Sequence, residues 1–501
     1  MKFLGKTFSV SLILLVLADL ISFWGHQFYS INLVFFIALV FVTVILGVWR
    51  LRYALLILTA ELITGSFGYS FYVNLGDFKA SIRLGLFLAI VLAYIYYYLI
   101  NKKNNFFKSW LWKSSIIFIF FLILGIILGI LNNNTYKNIF YDFNAYLYFC
   151  IIFVFFSLLK SWDDFLGHLQ IILASSVFIS IKTAGLLFFF AHTSDTYLIQ
   201  TVYTWVRDTR FGEIASVFSN YFRIFSQSQI WSLFTALIIF FILFKFAVLL
   251  HKKEKYLLIT IGGLSVLSLI IGFSRSLWLG GAITLILILI YLKITEKISW
   301  KKIIITLLYL FIVLVINLGL ITIIVNIKLP GKAGSNVSIA SLVKERIIET
   351  QEPAVISRYN LLLPLIKKII SSPLFGHGFG TNVEFVSDDP RTKLVNDGLY
   401  TTYSFEWGYL DILVKTGLLG FLAYGYFIFS IFKMGVQTLK QNGINLEKPV
   451  VIGLLFSIIA LLIIHATTPY LNHPLGIFLL IISATVFNYT SKSQMRPETL
   501  N

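Results

Sequence analysis

The chain has 501 residues, of which 58% are hydrophobic, 17% aromatic and only 12% charged, against about 25% charged in soluble domains. With a mean hydropathy of +0.88, too little polar surface remains to cover a soluble fold, so the chain reads as an all-α polytopic membrane protein. The net charge of +18 would suggest nucleic acid in a soluble protein; here Lys and Arg gathering in cytoplasmic loops explains most of it, and no nucleic-acid partner is expected.

A helix needs about 20 apolar residues to cross the hydrocarbon. By that criterion there are fourteen spans, with twelve the lower bound, near 7–24, 29–49, 53–72, 82–100, 113–131, 139–159, 166–190, 228–250, 256–273, 276–293, 302–327, 409–432, 449–465 and 474–490. The first follows Lys2 and Lys6 like a signal peptide. It contains Asp19 and lacks a small-residue cleavage site, so it reads as a retained span.

With the N-terminus inside, Arg50/Arg52, Lys102/Lys103/Lys108, Lys160, Lys252/Lys253/Lys255, Lys297/Lys301/Lys302 and Lys433/Lys440/Lys448 all fall inside, while short outside loops are nearly bare. That asymmetry places both termini in the cytoplasm. The whole chain, 1–501, reads as one transmembrane domain. It carries a smaller extracytoplasmic loop at 192–227, a large one at 328–408 and a cytoplasmic tail at 491–501.

Within the large loop, Val355, Tyr359, Leu362, Leu363, Ile366, Ile369 and Ile370 recur at helical spacing. Pro353 suits the first turn and Pro364 should kink the helix. Its apolar face is expected on the membrane or plugged into the bundle, and an interfacial helix without chemistry is the bland alternative.

No phosphate-binding Gly loop, zinc motif or acidic metal cluster appears, and the one cysteine, Cys150, matches no metal motif. Neither metal nor cofactor is expected.

Ionisable groups inside spans are functional hypotheses by default. Asp19 and Asp142 sit near span ends, where facing water is the favoured reading. Glu61 and Lys182 lie deeper, either paired with other helices or lining a cavity, and Lys182 can also snorkel. Arg275, in GFSRSLWLGG (272–281), falls at the outside face between two spans. It either snorkels to headgroups or offers a bidentate fork to a phosphate or diphosphate, with Ser274 and Ser276 adding hydroxyl donors.

The loop segment SRYNLLLPLIKKIISSPLFGHGFG (357–380) adds Arg358, Lys367, Lys368 and His377 as candidate substrate contacts, although a lone loop histidine is usually a surface residue. TTYSFEWGYLDILVKTGLLGFLAYG (401–425) then re-enters the membrane. Glu406 precedes that span and is placed to act as a general base or to orient a sugar hydroxyl. Asp411 and Lys415 read as an i,i+4 pair.

The order of these motifs resembles the O-antigen ligase and O-antigen polymerase family: "SRS.WLG" opening a span, a long outer loop with a second Arg ahead of PLFGHGFG, then YLDILVKTGLLG. The resemblance covers about 256–432. AELITGSFGYSFYVNLGDFKASIRLGLF (60–87) is also similar to ligase-like members. The resemblance implies a membrane glycosyltransferase on the extracytoplasmic face. Its donor is a glycan on a polyprenyl diphosphate; its acceptor is a hydroxyl on lipid A core, on another lipid-linked repeat or on protein.

Arg275 and Arg358 match positions that bind the diphosphate, which makes them, with Glu406, the implied catalytic set. Membrane lipid and envelope-assembly proteins are the other implied partners. Many ligases carry a His ahead of the last re-entry. Thr401, Thr402, Tyr403 and Ser404 stand there instead, with Glu406 following, which favours polymerase or related transferase over ligase. A transporter or flippase of lipid-linked sugars is the alternative, but paired repeats and correspondingly broken helices are not evident.

Overall fold

The computed structural model describes residues 3–76, 78–102, 104, 106–218, 221–327, 353–388, 392, 397–440 and 447–493. Among them, thirteen helices are long and apolar enough to cross a membrane; shorter helices and three two-stranded hairpins connect them. The fold is all-α and polytopic. The chain divides into two compact units: 1–103, 158–346 and 444–457 in the first, and 104–157, 347–443 and 458–501 in the second.

In the first unit, α1 (Lys6–Gln27) leads into α2 (Tyr29–Thr64), which breaks at Arg50 (φ −148°, ψ 85°). The spans expected at 29–49 and 53–72 are thus one element with a kink. The second half stops at Thr64, not at residue 72. Beyond it the chain turns through Ser66 and Gly68, both at positive φ (52° and 85°). It then runs extended into β1 (Tyr72–Leu75), which pairs antiparallel with β2 (Phe78–Ser81). Asn32 fixes that switch, its amide donating to the Tyr72 carbonyl (2.6 Å) and accepting from the Tyr72 N–H (3.1 Å). A side chain of α2 thereby competes successfully with continued helix, something hydropathy alone does not register.

α3 (Ile82–Asn101) follows, capped by Ser81. The chain passes through the second unit and returns as α7 (Trp162–His192). The loop at 192–227 contains α8 (Thr196–Asp208) and a hairpin of β3 (Glu213–Phe218) and β4 (Tyr221–Phe225). Helices α9 (Gln229–Phe246), α10 (Lys252–Ile271), α11 (Arg275–Ile294) and α12 (Trp300–Asn326) complete this unit. A core of Leu187, Trp205, Tyr221, Ile271, Phe273 and Ile321 ties the loop to α7, α10 and α12.

Intramembrane charges in this unit are paired. Glu61 accepts from Nε of Arg83 at 2.9 Å, and Arg83 is only 3% exposed. Lys182 donates to Asp19 at 2.5 Å and lies over the rings of Phe211 (3.7 Å) and Trp205 (4.3 Å). Asp19 therefore serves as a counter-ion, correcting the expectation that it simply faces water.

In the second unit, α4 (Leu111–Leu131) is followed by a composite span, Tyr136–Leu158. That span is α5 (Tyr136–Phe143), a 3₁₀ stretch (Asn144–Cys150) and α6 (Ile151–Leu158). The loop helix α13 (Pro353–Ser371) runs through Pro364 as one helix. β5 (Val383–Val386) pairs antiparallel with β6 (Leu399–Thr402), and α14 (Gly408–Leu439) re-enters the membrane. α15 (Lys448–His465), of which residues up to Ser457 count with the first unit, and α16 (Pro474–Ser493) close the chain. Ser491, Lys492 and Ser493, expected in the tail, are the last turn of α16; Gln494 and Pro497 lie outside the described residues.

Removing one partner of a buried ion pair strands the other charge, at a cost of about 3–5 kcal/mol. Lys182→Met should therefore lower thermal stability in detergent markedly, and the double variant Lys182→Met/Asp19→Leu should recover most of the loss. Equal stability of the single variant and the native protein would contradict the pairing.

Candidate functional site

The second unit is organised around a buried ammonium group. Lys415, on the second turn of α14, is 2% exposed and ion-paired with Asp142 of α5 and with Asp411 one turn earlier (2.5 Å). Each carboxylate has further donors. Asp142 accepts from the Gly380 N–H at 2.8 Å. Asp411 accepts from the Asn472 amide at 2.5 Å and from the Phe405 N–H at 3.4 Å. Expected at a water-facing span end, Asp142 is instead buried at 7% exposure. The i,i+4 pair expected of Asp411 and Lys415 is present, but as half of a larger buried network.

The same helix supplies a backbone seat for the loop. α14 breaks at Gly417 (φ 64°, ψ −174°), a backbone that L side chains rarely adopt. The break frees Leu418 and Leu419 N–H groups, which donate to the carbonyls of Pro373 (2.8 Å) and Leu374 (3.1 Å). In return His377 and Gly378 N–H donate to the carbonyls of Val414 (2.8 Å) and Lys415 (3.0 Å). PLFGHGFG and YLDILVKTGLLG are thus two halves of one hydrogen-bonded seat. Gly378, at φ +83°, passes so close to α4 that a Cβ there would lie 2.0 Å from the Gly129 nitrogen.

On this base stand Arg358 and Glu406. Arg358, in the first half of α13, donates through Nε to the Glu406 carboxylate, with side chains 40% and 53% exposed. Trp407 Nε1 donates to the Arg358 carbonyl at 2.9 Å. Beneath them Leu361, Leu365, Val383, Phe405 and Val414 form a closed apolar cluster. The buried stripe of α13 is therefore Leu361/Leu365, while Tyr359 (64%), Leu363 (59%) and Ile370 (70%) of the expected apolar face remain exposed.

Lys367 is exposed on α13. His377 Nε2 contacts the Lys368 carbonyl (2.9 Å) and the Ser371 hydroxyl (3.0 Å), so the imidazole closes the C-terminal end of α13. His377 also borders a cavity of about 500 Å³ with Asn132, Leu128, Ser372 and Phe375.

In the first unit, GFSRSLWLGG is the turn between α10 and α11. Phe273 (φ +46°) is fully buried between Tyr221 and Trp278, with ring centroids 5.0 and 5.2 Å away. Ser274 is the N-cap residue of α11, and its Oγ lies 3.1 Å from that of Ser276. Arg275 is therefore the first residue of a helix, half-buried, at the end where backbone N–H groups favour anions. Arg223 of β4 reaches the same turn, donating from Nε to the Gly272 carbonyl at 3.1 Å. Sequence reasoning passed over Arg223, Arg83 and Asn472 and read Asp142 as a water-facing span end, because their partners lie elsewhere in the chain.

Residues 260–425 match the O-antigen ligase family model. Over that segment the chain is similar to the O-antigen ligase family, as the order of its motifs leads one to expect. No curated protein matches the chain. The match supports a membrane glycan ligase or polymerase role in general terms, with a lipid-linked glycan donor and a glycan acceptor. Every site residue expected from the sequence lies inside the O-antigen ligase match, from Ser274 to Glu406, and so do Asp411 and Lys415. Asp142 and Asn472 lie outside it. The structure brings Arg358 to Glu406, His377 to Lys368, and Ser274 to Ser276. Arg275 belongs to the other unit. Among the described residues no group of three or more His, Cys, Asp or Glu side chains is placed to hold a metal ion.

Burial holds the His377 imidazole below its ordinary range; the Lys368 carbonyl opposes this and the Lys368 charge adds to it. A depressed folded value means that the unfolded chain takes up the proton first. The neutral imidazole's contribution is present above the unfolded value of about 6.5 and is lost as pH falls through the folded one. Melting temperature should therefore drop between pH 7 and pH 5 more steeply in the native protein than in a His377→Asn variant. Parallel profiles would show that the folded imidazole takes up its proton as readily as the unfolded one, and would contradict the depressed value.

Proposed function

We propose that the protein transfers or polymerises a glycan from a polyprenyl diphosphate carrier on the extracytoplasmic face of the bacterial inner membrane, with both termini cytoplasmic. The observation that carries the reading is the Arg358–Glu406 pair. It is exposed at its tips, fixed at its backbone and set beside the membrane re-entry of α14, inside the O-antigen ligase match.

The chemistry follows from the charges. As the glycosidic bond breaks, its electron pair leaves with the diphosphate, and charge builds on the phosphate oxygens. A guanidinium already in place stabilises that charge without a metal ion. Glu406 takes the proton of the acceptor hydroxyl as its oxygen bonds to the anomeric carbon. Arg275 is an anion-binding position in its own right, at the N-terminus of α11, with Ser274 and Ser276 beside it. Lys367 and Lys368 supply further positive charge on α13 for the donor or for lipid headgroups. The acceptor is a glycan, lipid or protein hydroxyl, and envelope-assembly proteins are the natural macromolecular partners.

Purified protein supplied with a lipid-linked repeat alone should give a glycan ladder if it is a polymerase. If it is a ligase, product should appear only after core lipid or protein is added. In either assay Arg358→Lys should cost about a hundredfold in rate, because a point charge replaces a planar fork. Full activity in Arg358→Lys, or no transfer with any of these acceptors, would defeat the reading.

A further inference from the structure

The Arg358–Glu406 pair sets a condition on its own use. The guanidinium that would grip the donor already donates, through Nε, to the carboxylate that would act as base. The chain is held on either side of the pair. Trp407 Nε1 bonds the Arg358 carbonyl at 2.9 Å, Asn360 Nδ2 bonds the Val386 carbonyl at 3.0 Å, and the Phe405 N–H reaches Asp411 at 3.4 Å. Phe405 itself is 1% exposed. The two charged side chains remain accessible, at 40% and 53% exposure.

An ion pair this exposed is worth little, typically about 0.2–1 kcal/mol. That is enough to compete with a weak anion and too little to resist a strong one. A diphosphate brings several charges and oxygens that match the guanidinium fork.

Resting on the transferase reading above, we infer that Glu406 is a built-in competitor for the Arg358 anion site, and that donor diphosphate frees the base by displacing it. While the pair holds, Glu406 is engaged and competes with headgroup anions for the guanidinium. When a diphosphate takes Arg358, the carboxylate is released beside the anomeric carbon. It then accepts the hydroxyl proton while the acceptor oxygen bonds to that carbon and the diphosphate leaves with the bonding pair. Base and donor are thereby coupled, and the acceptor is activated only after the donor has bound.

The test measures binding of farnesyl diphosphate to the full-length protein in lipid nanodiscs. Glu406→Gln removes the competitor and should bind about two- to fivefold tighter than the native protein, the range that an exposed ion pair supports. Glu384→Gln is the control for net charge. Glu384 is exposed on the neighbouring β5 strand, and its carboxylate faces the Thr401 hydroxyl at 3.4 Å. Its variant should bind as the native protein does. In an Arg358→Ala background the Glu406→Gln change should have no effect.

Unchanged or weaker binding by Glu406→Gln, or equal tightening by Glu384→Gln, would overturn the competitor role. If Arg358→Ala binds farnesyl diphosphate as well as the native protein does, the underlying assignment of Arg358 to the diphosphate fails instead.

Discussion

The second unit depends on the burial of one ammonium group between two carboxylates. Lys415 at 2% exposure, Asp411 at 1% and Asp142 at 7% share a site that water does not reach. Buried charges are tolerated only when paired and when their remaining valences are met. Here Asn472 and the Gly380 and Phe405 N–H groups meet them. Each of those donors fixes a different piece of chain. Gly380 ends the glycine turn, Phe405 precedes the candidate base, and Asn472 lies between α15 and α16. One electrostatic requirement thus positions three segments that local sequence would leave independent.

The break at Gly417 makes the second contribution. A continuous α14 would satisfy its own N–H groups. The left-handed residue instead releases Leu418 and Leu419 to bind Pro373 and Leu374, while the turn returns bonds to Val414 and Lys415. Irregular backbone at a membrane helix is tolerable when protein satisfies it, and the loop does so here. The described part of the loop is therefore seated on α14 by backbone and buried charge together. The tips of Arg358, Glu406 and Lys367 are among its exposed charges.

Much of this was legible in the sequence. Long apolar runs mark spans because lipid admits little else, and thirteen such helices stand where fourteen runs were counted. The difference arises at Arg50, a kink within one element, and at 65–71, where Asn32 and two positive-φ residues end the helix early. Glu406 drew notice in the sequence as a carboxylate just ahead of a span start, flanked by aromatics. The Asp142–Lys415 contact was not legible. It joins residues 273 positions apart, and hydropathy carries no pairing information. The loop helix was found by its period, yet its buried face is Leu361/Leu365 because Phe405 and Val414 determine what it covers. Burial against a partner, not periodicity, chose the face.

A structure of the protein in nanodiscs with a polyprenyl diphosphate bound tests the central claim most directly. A diphosphate within hydrogen-bond reach of the Arg358 guanidinium, with the Glu406 carboxylate moved off it while Lys415 keeps Asp142 and Asp411, is the expected result. A diphosphate bound elsewhere, with Arg358 and Glu406 still paired, would contradict it.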